Sequence, residues 1–127
     1  MDADERRLNE ISSVIIGCSF DVSNELGTGF LEKVYENSLL TELTLRGVKA
    51  EQQKRIVVRY KQVVVGEYIA DLVVEGSVLV EVKHCDGICD AHVAQVINYL
   101  KATGFKLCLI INFGKPKVEI KRVVREL

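Results

Sequence analysis

The segment Tyr68-Ile69-Ala70-Asp71-Leu72-Val73-Val74-Glu75-Gly76-Ser77-Val78-Leu79-Val80-Glu81-Val82-Lys83 decides how this chain is read. Two runs of aliphatic, mostly β-branched residues flank Glu75-Gly76-Ser77, so the segment predicts two strands joined by a turn. Folded about Gly76, residues whose numbers sum to about 152 face each other, which sets Asp71 opposite Glu81. Side chains alternate along a strand, so Lys83 shares the face of Glu81. Two carboxylates and an ammonium then converge on a patch otherwise made of Val, Leu and Ile. Opposed like charges repel and both lose hydration in such surroundings, an arrangement that a divalent cation relieves.

Hard carboxylate oxygens without thiolates suit Mg²⁺ or Mn²⁺, ions that protein acids and substrate phosphates bind jointly. Phosphodiester hydrolysis is therefore the leading reaction: the ion polarises a phosphoryl oxygen and acidifies a water, while Lys83 orients the nucleophile or offsets developing charge. The competing reading is an ion-pair cluster on a solvated sheet face, since a string as short as Glu81-Val82-Lys83 recurs by chance.

Upstream, Ile56-Val57-Val58 and Val63-Val64-Val65 are β-rich and divided at Lys61-Gln62, which together with the quoted segment predicts a three-stranded meander. Before Gly47 the period changes. Ile11, Val14, Ile15, Cys18, Val22 and Leu26 recur at steps of three and four within a helix from Leu8 to Leu26. Gly27-Thr28-Gly29 interrupts it, and Leu31, Val34, Tyr35, Leu39 and Leu43 define a second helix over about 31–46. Downstream, a helix runs from Ala91 to Thr103 with Gly104 as its cap, Leu107 to Phe113 is a nearly continuous apolar strand, and Val118 to Val124 forms a last strand. The order α-α-β-β-β-α-β-β, without linker or repeat, predicts one α/β (α+β) domain over 1–127, a central sheet with helices against it.

Composition agrees. With 127 residues, 48% apolar and 28% charged, the chain is long enough for one core and neither disordered nor membrane-like. No apolar run approaches the roughly eighteen residues of a transmembrane span, and the charged start MDADERRLNE is unlike a signal peptide, so the expected location is the cytoplasm, away from membranes. The net charge of −1 excludes histone-like attraction to phosphate but conceals a gradient, because residues 101–127 carry seven basic and two acidic side chains. Lys115, Lys117, Lys121, Arg122 and Arg125 either contact nucleic-acid phosphates or protect an exposed edge strand.

Asp71, followed ten positions later by Glu81-Val82-Lys83, resembles the acidic core of the PD-(D/E)XK nuclease superfamily, and Gly29-Phe30-Leu31-Glu32-Lys33-Val34-Tyr35 resembles the signature of the GxxExxY family within it. The similarity also takes in Gln52 through Tyr60, Gly66-Glu67-Tyr68, His92-Val93-Ala94-Gln95, Asn98-Tyr99-Leu100 and Asn112-Phe113-Gly114. The resemblance implies a restriction-endonuclease-like αβββαβ core with a mixed sheet, an extra N-terminal helix, and a metal-dependent nuclease site acting on DNA. Carried over residue by residue, it implies Glu32 as a helix acid and further metal ligand, Asp71 and Glu81 as ligands of Mg²⁺ or Mn²⁺, and Lys83 as the catalytic lysine. Gln95 and Tyr99 match a Q-x-x-x-Y helix motif that many relatives place beside the site. Independently, His92, Gln95 and Tyr99 fall on one helical face by spacing, and that face is expected to look toward the metal. Ala70 stands where the superfamily name has proline. Small nucleases of this kind often dimerise, so a homodimer is expected by analogy.

Other readings compete with this one. His84, Cys85, Cys89 and His92 offer a zinc ligand set, but the spacing lacks a paired C-x-x-C and adjacent His84 and Cys85 point apart on a strand. Gly27-Thr28-Gly29 before a helix is a tight break, since no Gly-Lys-Ser/Thr follows to make a phosphate cradle. The alternative to an enzyme is a catalytically silent module of nuclease fold that binds nucleic acid or a protein partner.

Overall fold

The computed structural model describes residues 2–126. Its elements are α1 (Ala3–Leu26), α2 (Glu32–Leu45), β1 (Ala50–Tyr60), β2 (Val63–Val74), β3 (Val78–Lys83), α3 (Asp90–Thr103), β4 (Leu107–Asn112) and β5 (Glu119–Val124). The order matches the expected one, and two boundaries move. Helix α1 starts five residues before Leu8 because Asp2 caps it, its carboxylate accepting from the Glu5 amide at 2.7 Å. Strand β1 begins at Ala50 rather than Ile56: the polar run Glu51 to Arg55 lies on an edge strand, where no alternation of buried residues is required.

The sheet has the order β1-β2-β3-β4-β5, with β3 and β4 parallel and every other pair antiparallel. A parallel pair needs a crossover, and α3 supplies it. The two central strands are buried almost throughout, which is why Val78–Val82 and Leu107–Ile111 read as continuous apolar runs instead of alternating ones.

Each face of the sheet carries a separate core. On one side Ile15, Cys18 and Val22 of α1 and Tyr35, Leu39 and Leu43 of α2 meet Leu72, Val80, Val82, Leu109 and Ile111. On the other, Val96 and Leu100 of α3 meet Tyr68, Ala70, Leu79, Cys108 and Ile110. Alternation along β3 therefore sends Val80 and Val82 toward α1 and α2, and Leu79 and Glu81 toward α3. The first strand pair outruns its neighbours: β2 follows β1 to Tyr60↔Val63 but pairs with β3 only from Leu72↔Val80 to Val74↔Val78. A gap opens between β2 and β3 above Leu72, and the acids lie there.

Candidate active site

The hairpin register is the expected one, as Leu72↔Val80, Val73↔Leu79 and Val74↔Val78 all sum to 152. Asp71 and Glu81 would be the next rung, yet the ladder stops before them. Instead the Asp71 carboxylate reaches across the gap, and its Oδ2 accepts a hydrogen bond from the Val82 amide at 2.8 Å. Glu81 is 9% exposed, and the Tyr68 hydroxyl donates to its Oε1. Burial and the neighbouring Asp71 charge push the Glu81 carboxyl up to about 7, against the opposing pull of the Tyr68 hydroxyl and Lys83. Asp71 is raised too, first by burial and then by Glu36 and Glu32, with the Val82 amide and Lys83 opposing. These opposed causes describe one electrostatic unit: the Asp71 charge raises Glu81, and Lys83 partly relieves both.

Helix α3 reaches this unit through Tyr99. Its ring stacks on Tyr68 with centroids 3.7 Å apart, so Tyr99 braces the phenol that holds Glu81. Burial and the Glu81 carboxylate push the Tyr68 phenol far upward, which keeps the donating proton in place. Tyr68 escapes sequence reasoning because its position reads as strand alone. Gln95, one turn earlier on α3, is exposed. His92 turns back to the helix start, where its Nδ1 accepts from the Cys89 amide at 3.2 Å, so it does not face the acids as spacing alone would have it.

The signature residues of α2 converge on His84, the residue after Lys83. The Gly29 amide donates to His84 Nε2 at 3.4 Å, Glu32 Oε2 accepts from the His84 amide at 3.0 Å, and the Tyr35 ring stacks on the imidazole at 5.9 Å. Tyr35 is fully buried, lies against Phe113 at 4.7 Å, and donates its hydroxyl to Gly27 O at 2.6 Å. The start of α2 is thus clamped to the end of β3. A cleft of about 500 Å³ lined by Gly29, Phe30, Leu31, Glu32, Lys33 and His84 opens beside the clamp. Glu36, one turn after Glu32, is the buried acid of α2 at 4% exposure, and Lys33, Gln52 and Gln53 donate to it at 2.5–3.1 Å. Its spacing from Glu32 was the available signal, and its place among Tyr35, Leu39 and Leu43 shows that it faces inward.

A second lock fixes the chain beyond Lys83. Asn112, fully buried, accepts from the amides of Cys85 at 3.0 Å and Gly114 at 2.9 Å, and donates to Cys85 O and Glu119 Oε1 at 3.0 Å each. All four hydrogen-bonding positions of the amide are filled. A Cβ on Gly114 would meet the Cys85 backbone at 2.5 Å, so only glycine allows this approach. Asn112→Ala is expected to lower stability by about 3 kcal/mol and Gly114→Ala by about 2 kcal/mol, both visible as lower thermal midpoints. A wild-type midpoint in either variant contradicts the lock.

Lys115 and Lys117 are exposed after β4, at the end of the sheet where Asn112 pairs with Lys83. Lys121 and Arg122 alternate on the edge strand β5, and Arg122 donates to Asn9 of α1 at 2.6 Å, so these two do not point the same way. The zinc reading is corrected: among the described residues no three His, Cys, Asp or Glu side chains gather as a metal cluster, and His84, Cys85 and His92 are engaged elsewhere. By the same measure Glu32 is not gathered with Asp71 and Glu81. A half-buried Asp71 and a buried Glu81 that it raises, beside an open gap, fit an ion that takes one or two protein acids and completes its shell with water and phosphate.

No helix among the described residues is long and apolar enough to cross a membrane. Among curated proteins nothing matches the chain. Among solved structures it is similar to the one described as the crystal structure of SSO0001, at 15% identity and a TM-score of 0.55, covering 76% of this chain and 51% of that one. The chain thus spans about half the length of that structure, and the likeness concerns the fold. It is also similar to an alkaline exonuclease (LHK-Exo) from Laribacter hongkongensis, at 12% identity and a TM-score of 0.41, covering 85% of this chain and 76% of that one. The model of the PD-(D/E)XK nuclease superfamily matches residues 9–123, and with its mixed five-stranded sheet between helices the chain belongs to that superfamily.

Proposed function

We propose that this chain is a divalent-metal-dependent phosphodiester hydrolase acting on DNA, a single nuclease domain over 1–127 of the GxxExxY branch. The observation that carries the reading is the pair Asp71 and Glu81, two desolvated carboxylates of which both are raised by burial and Glu81 also by the Asp71 charge, at the mouth of the β2–β3 gap, with Lys83 beside them. Superfamily membership supports it, since PD-(D/E)XK nucleases typically use divalent ions.

Asp71 and Glu81 would hold Mg²⁺ or Mn²⁺, which when bound would supply Lewis-acid polarisation of a phosphoryl oxygen and a more acidic water. Tyr68, braced by Tyr99, holds Glu81 through its Oε1. Lys83 orients the attacking water and offsets charge on the phosphoryl oxygens, its place set by the clamp at His84 and the lock at Cys85. Glu32 fixes α2 against that strand end, and Gln95 faces solvent on the side from which substrate arrives.

Lys115 and Lys117 bind backbone phosphates next to the site, Lys121 extends the contact along β5, and Arg122 contributes least because Asn9 already takes its guanidinium. Replacing Lys115 and Lys117 by alanine is expected to weaken DNA binding about equally for all sequences and to reduce the log–log salt slope by about two. An unchanged slope removes these lysines from the interface. A domain of this size covers few base pairs, so two copies acting together are part of the proposal, checked by sedimentation with and without DNA.

The deciding experiment combines calorimetry and cleavage. Mn²⁺ is expected to bind the wild-type protein with heat that disappears in Glu81→Ala, and DNA cleavage is expected to stop with EDTA or Asp71→Ala while the fold persists. Metal-independent cleavage in Asp71→Ala would falsify the assignment. DNA binding without turnover or Mn²⁺ heat would mark a silent module instead.

A further inference from the structure

One rung is missing from the ladder between β1 and β2. Partners run without a shift from Ala50↔Val74 to Val58↔Gly66, but Gln53 and Asp71 do not pair. Gln53 has a φ of 53°, in the left-handed region that crowds any residue with a Cβ. The other non-glycine residues with positive φ are Lys61, Gln62, Glu75 and Glu126, and they lie in turns or near the chain end. Among the described residues Gln53 alone has this conformation inside a strand.

Its consequences appear on both strands. Gln52 and Gln53 are neighbours that regular β-structure would send to opposite faces, yet both donate to Glu36, Gln52 at 2.5 Å and Gln53 to the two oxygens at 3.0 and 3.1 Å. Across the missing rung, Ala70 packs in the core under α3 and Leu72 in the core under α1 and α2, although residues two apart share a face in a regular strand. Alternation therefore fails at Gln53 on β1 and at Asp71 on β2, at one place in the sheet. There the Asp71 carboxylate lies across the gap, at 2.8 Å from the Val82 amide.

We propose that Gln53 is a positioning residue for Asp71: its left-handed backbone, held by the Glu36 carboxylate, breaks the β1–β2 rung and turns the Asp71 side chain toward β3. Non-glycine residues in sparsely populated backbone regions persist where surrounding contacts over-determine them, and they cluster at functional sites. Here Glu36 supplies those contacts from α2, which explains an acid buried among Tyr35, Leu39 and Leu43. The functional consequence rests on the assignment of Asp71 as a metal ligand, whereas the geometric claim involves neither metal nor substrate.

The experiment follows the Val82 amide by ¹⁵N–¹H NMR in the metal-free protein, with Asp71→Ala marking its position once the hydrogen bond is gone. Gln53→Gly accepts positive φ and is expected to leave the Val82 resonance near its wild-type position. Gln53→Val favours regular β-structure, and is expected to move the resonance toward that of Asp71→Ala. Mn²⁺ affinity is expected to fall at least about tenfold in Gln53→Val and to change little in Gln53→Gly. Glu36→Gln removes one charged acceptor and is expected to move Val82 the same way by less, which keeps the test available if Gln53→Val does not fold. A Val82 amide unmoved in Gln53→Val, or unmoved in Glu36→Gln where only that variant folds, overturns the proposal. So does an amide moved equally by Gln53→Gly and Gln53→Val. A shifted amide in a protein whose wild type binds no Mn²⁺ sustains the positioning claim and removes the nuclease reading alone.

Discussion

Metal-free protein is expected to become more stable as the pH falls from 8 to 5, and Glu81→Gln is expected to abolish most of that gain. The sign follows from the direction of the shift. The folded state holds the Glu81 proton up to about pH 7, above the ordinary glutamate value of 4.5, so the folded protein binds the proton more tightly than the unfolded chain does. The stabilisation from proton uptake is fully present below about pH 4.5 and is lost as the pH rises through 7. Asp71 is raised as well and adds to the same trend. At about 1.4 kcal/mol per pKa unit, ionising Glu81 in its buried place costs roughly 3 kcal/mol at pH 8. Glu81→Gln keeps an oxygen to accept from Tyr68 without the charge, and should therefore melt roughly 10 °C above wild type at pH 8 in EDTA, a lead that shrinks toward pH 5. Adding Mn²⁺ at pH 8 should reverse the order, since a cation favours the ionised pair and the amide offers it much less. Melting curves at three pH values, with EDTA and with Mn²⁺, test every part. Equal pH dependence in wild type and Glu81→Gln would show that the acid is solvated and carries no such penalty.

The same residues show how far the sequence could be read. The hairpin register followed from Glu75-Gly76-Ser77 and the flanking aliphatic runs, because a turn this short leaves little freedom in pairing. The helix and strand order was legible for the same reason, as the period of apolar residues changes at Gly47 and again after Lys83. Gln53 broke the pattern. Glutamine is not among the residues that favour positive φ, so nothing in Gln52-Gln53 announces a kink, and the pairing of Asp71 with Glu81 was extrapolated one rung too far. Glu36 was hidden because a buried acid on a helix looks like a surface one until the polar groups that satisfy it come from another element, here β1. Tyr68 was hidden by its strand context, and Asn112 by lying at the end of an apolar run, where its four hydrogen bonds reach residues up to 27 positions away. Short-range periodicity reports which face is buried. It does not report which buried polar groups meet across the fold.

Cleavage of DNA at saturating Mn²⁺ is expected to fall about a thousandfold in each of Asp71→Asn, Glu81→Gln and Lys83→Ala, and only about tenfold in Glu32→Gln. The separation rests on what each side chain contacts. Asp71 and Glu81 share one electrostatic unit with Lys83, so on the proposed assignment removing any member would delete charge where the phosphoryl group would react. Glu32 is exposed and accepts from the His84 amide, a bond that glutamine can keep through its own carbonyl oxygen. Its expected effect on the reaction would pass through the seating of α2 against β3. Tyr68→Phe is expected to lie between the two classes, because it leaves Glu81 in place but removes the hydroxyl that orients it, and a supporting hydrogen bond of this kind changes rates by about ten- to a hundredfold. Single-turnover rates across a Mn²⁺ titration distinguish lost affinity from lost chemistry, since a positioning defect is partly recovered at high metal and a missing lysine is not. If Glu32→Gln proves as inactive as Asp71→Asn with an unchanged melting point, Glu32 acts at the reacting phosphate itself. The clamp at His84 would then be a resting contact that substrate displaces.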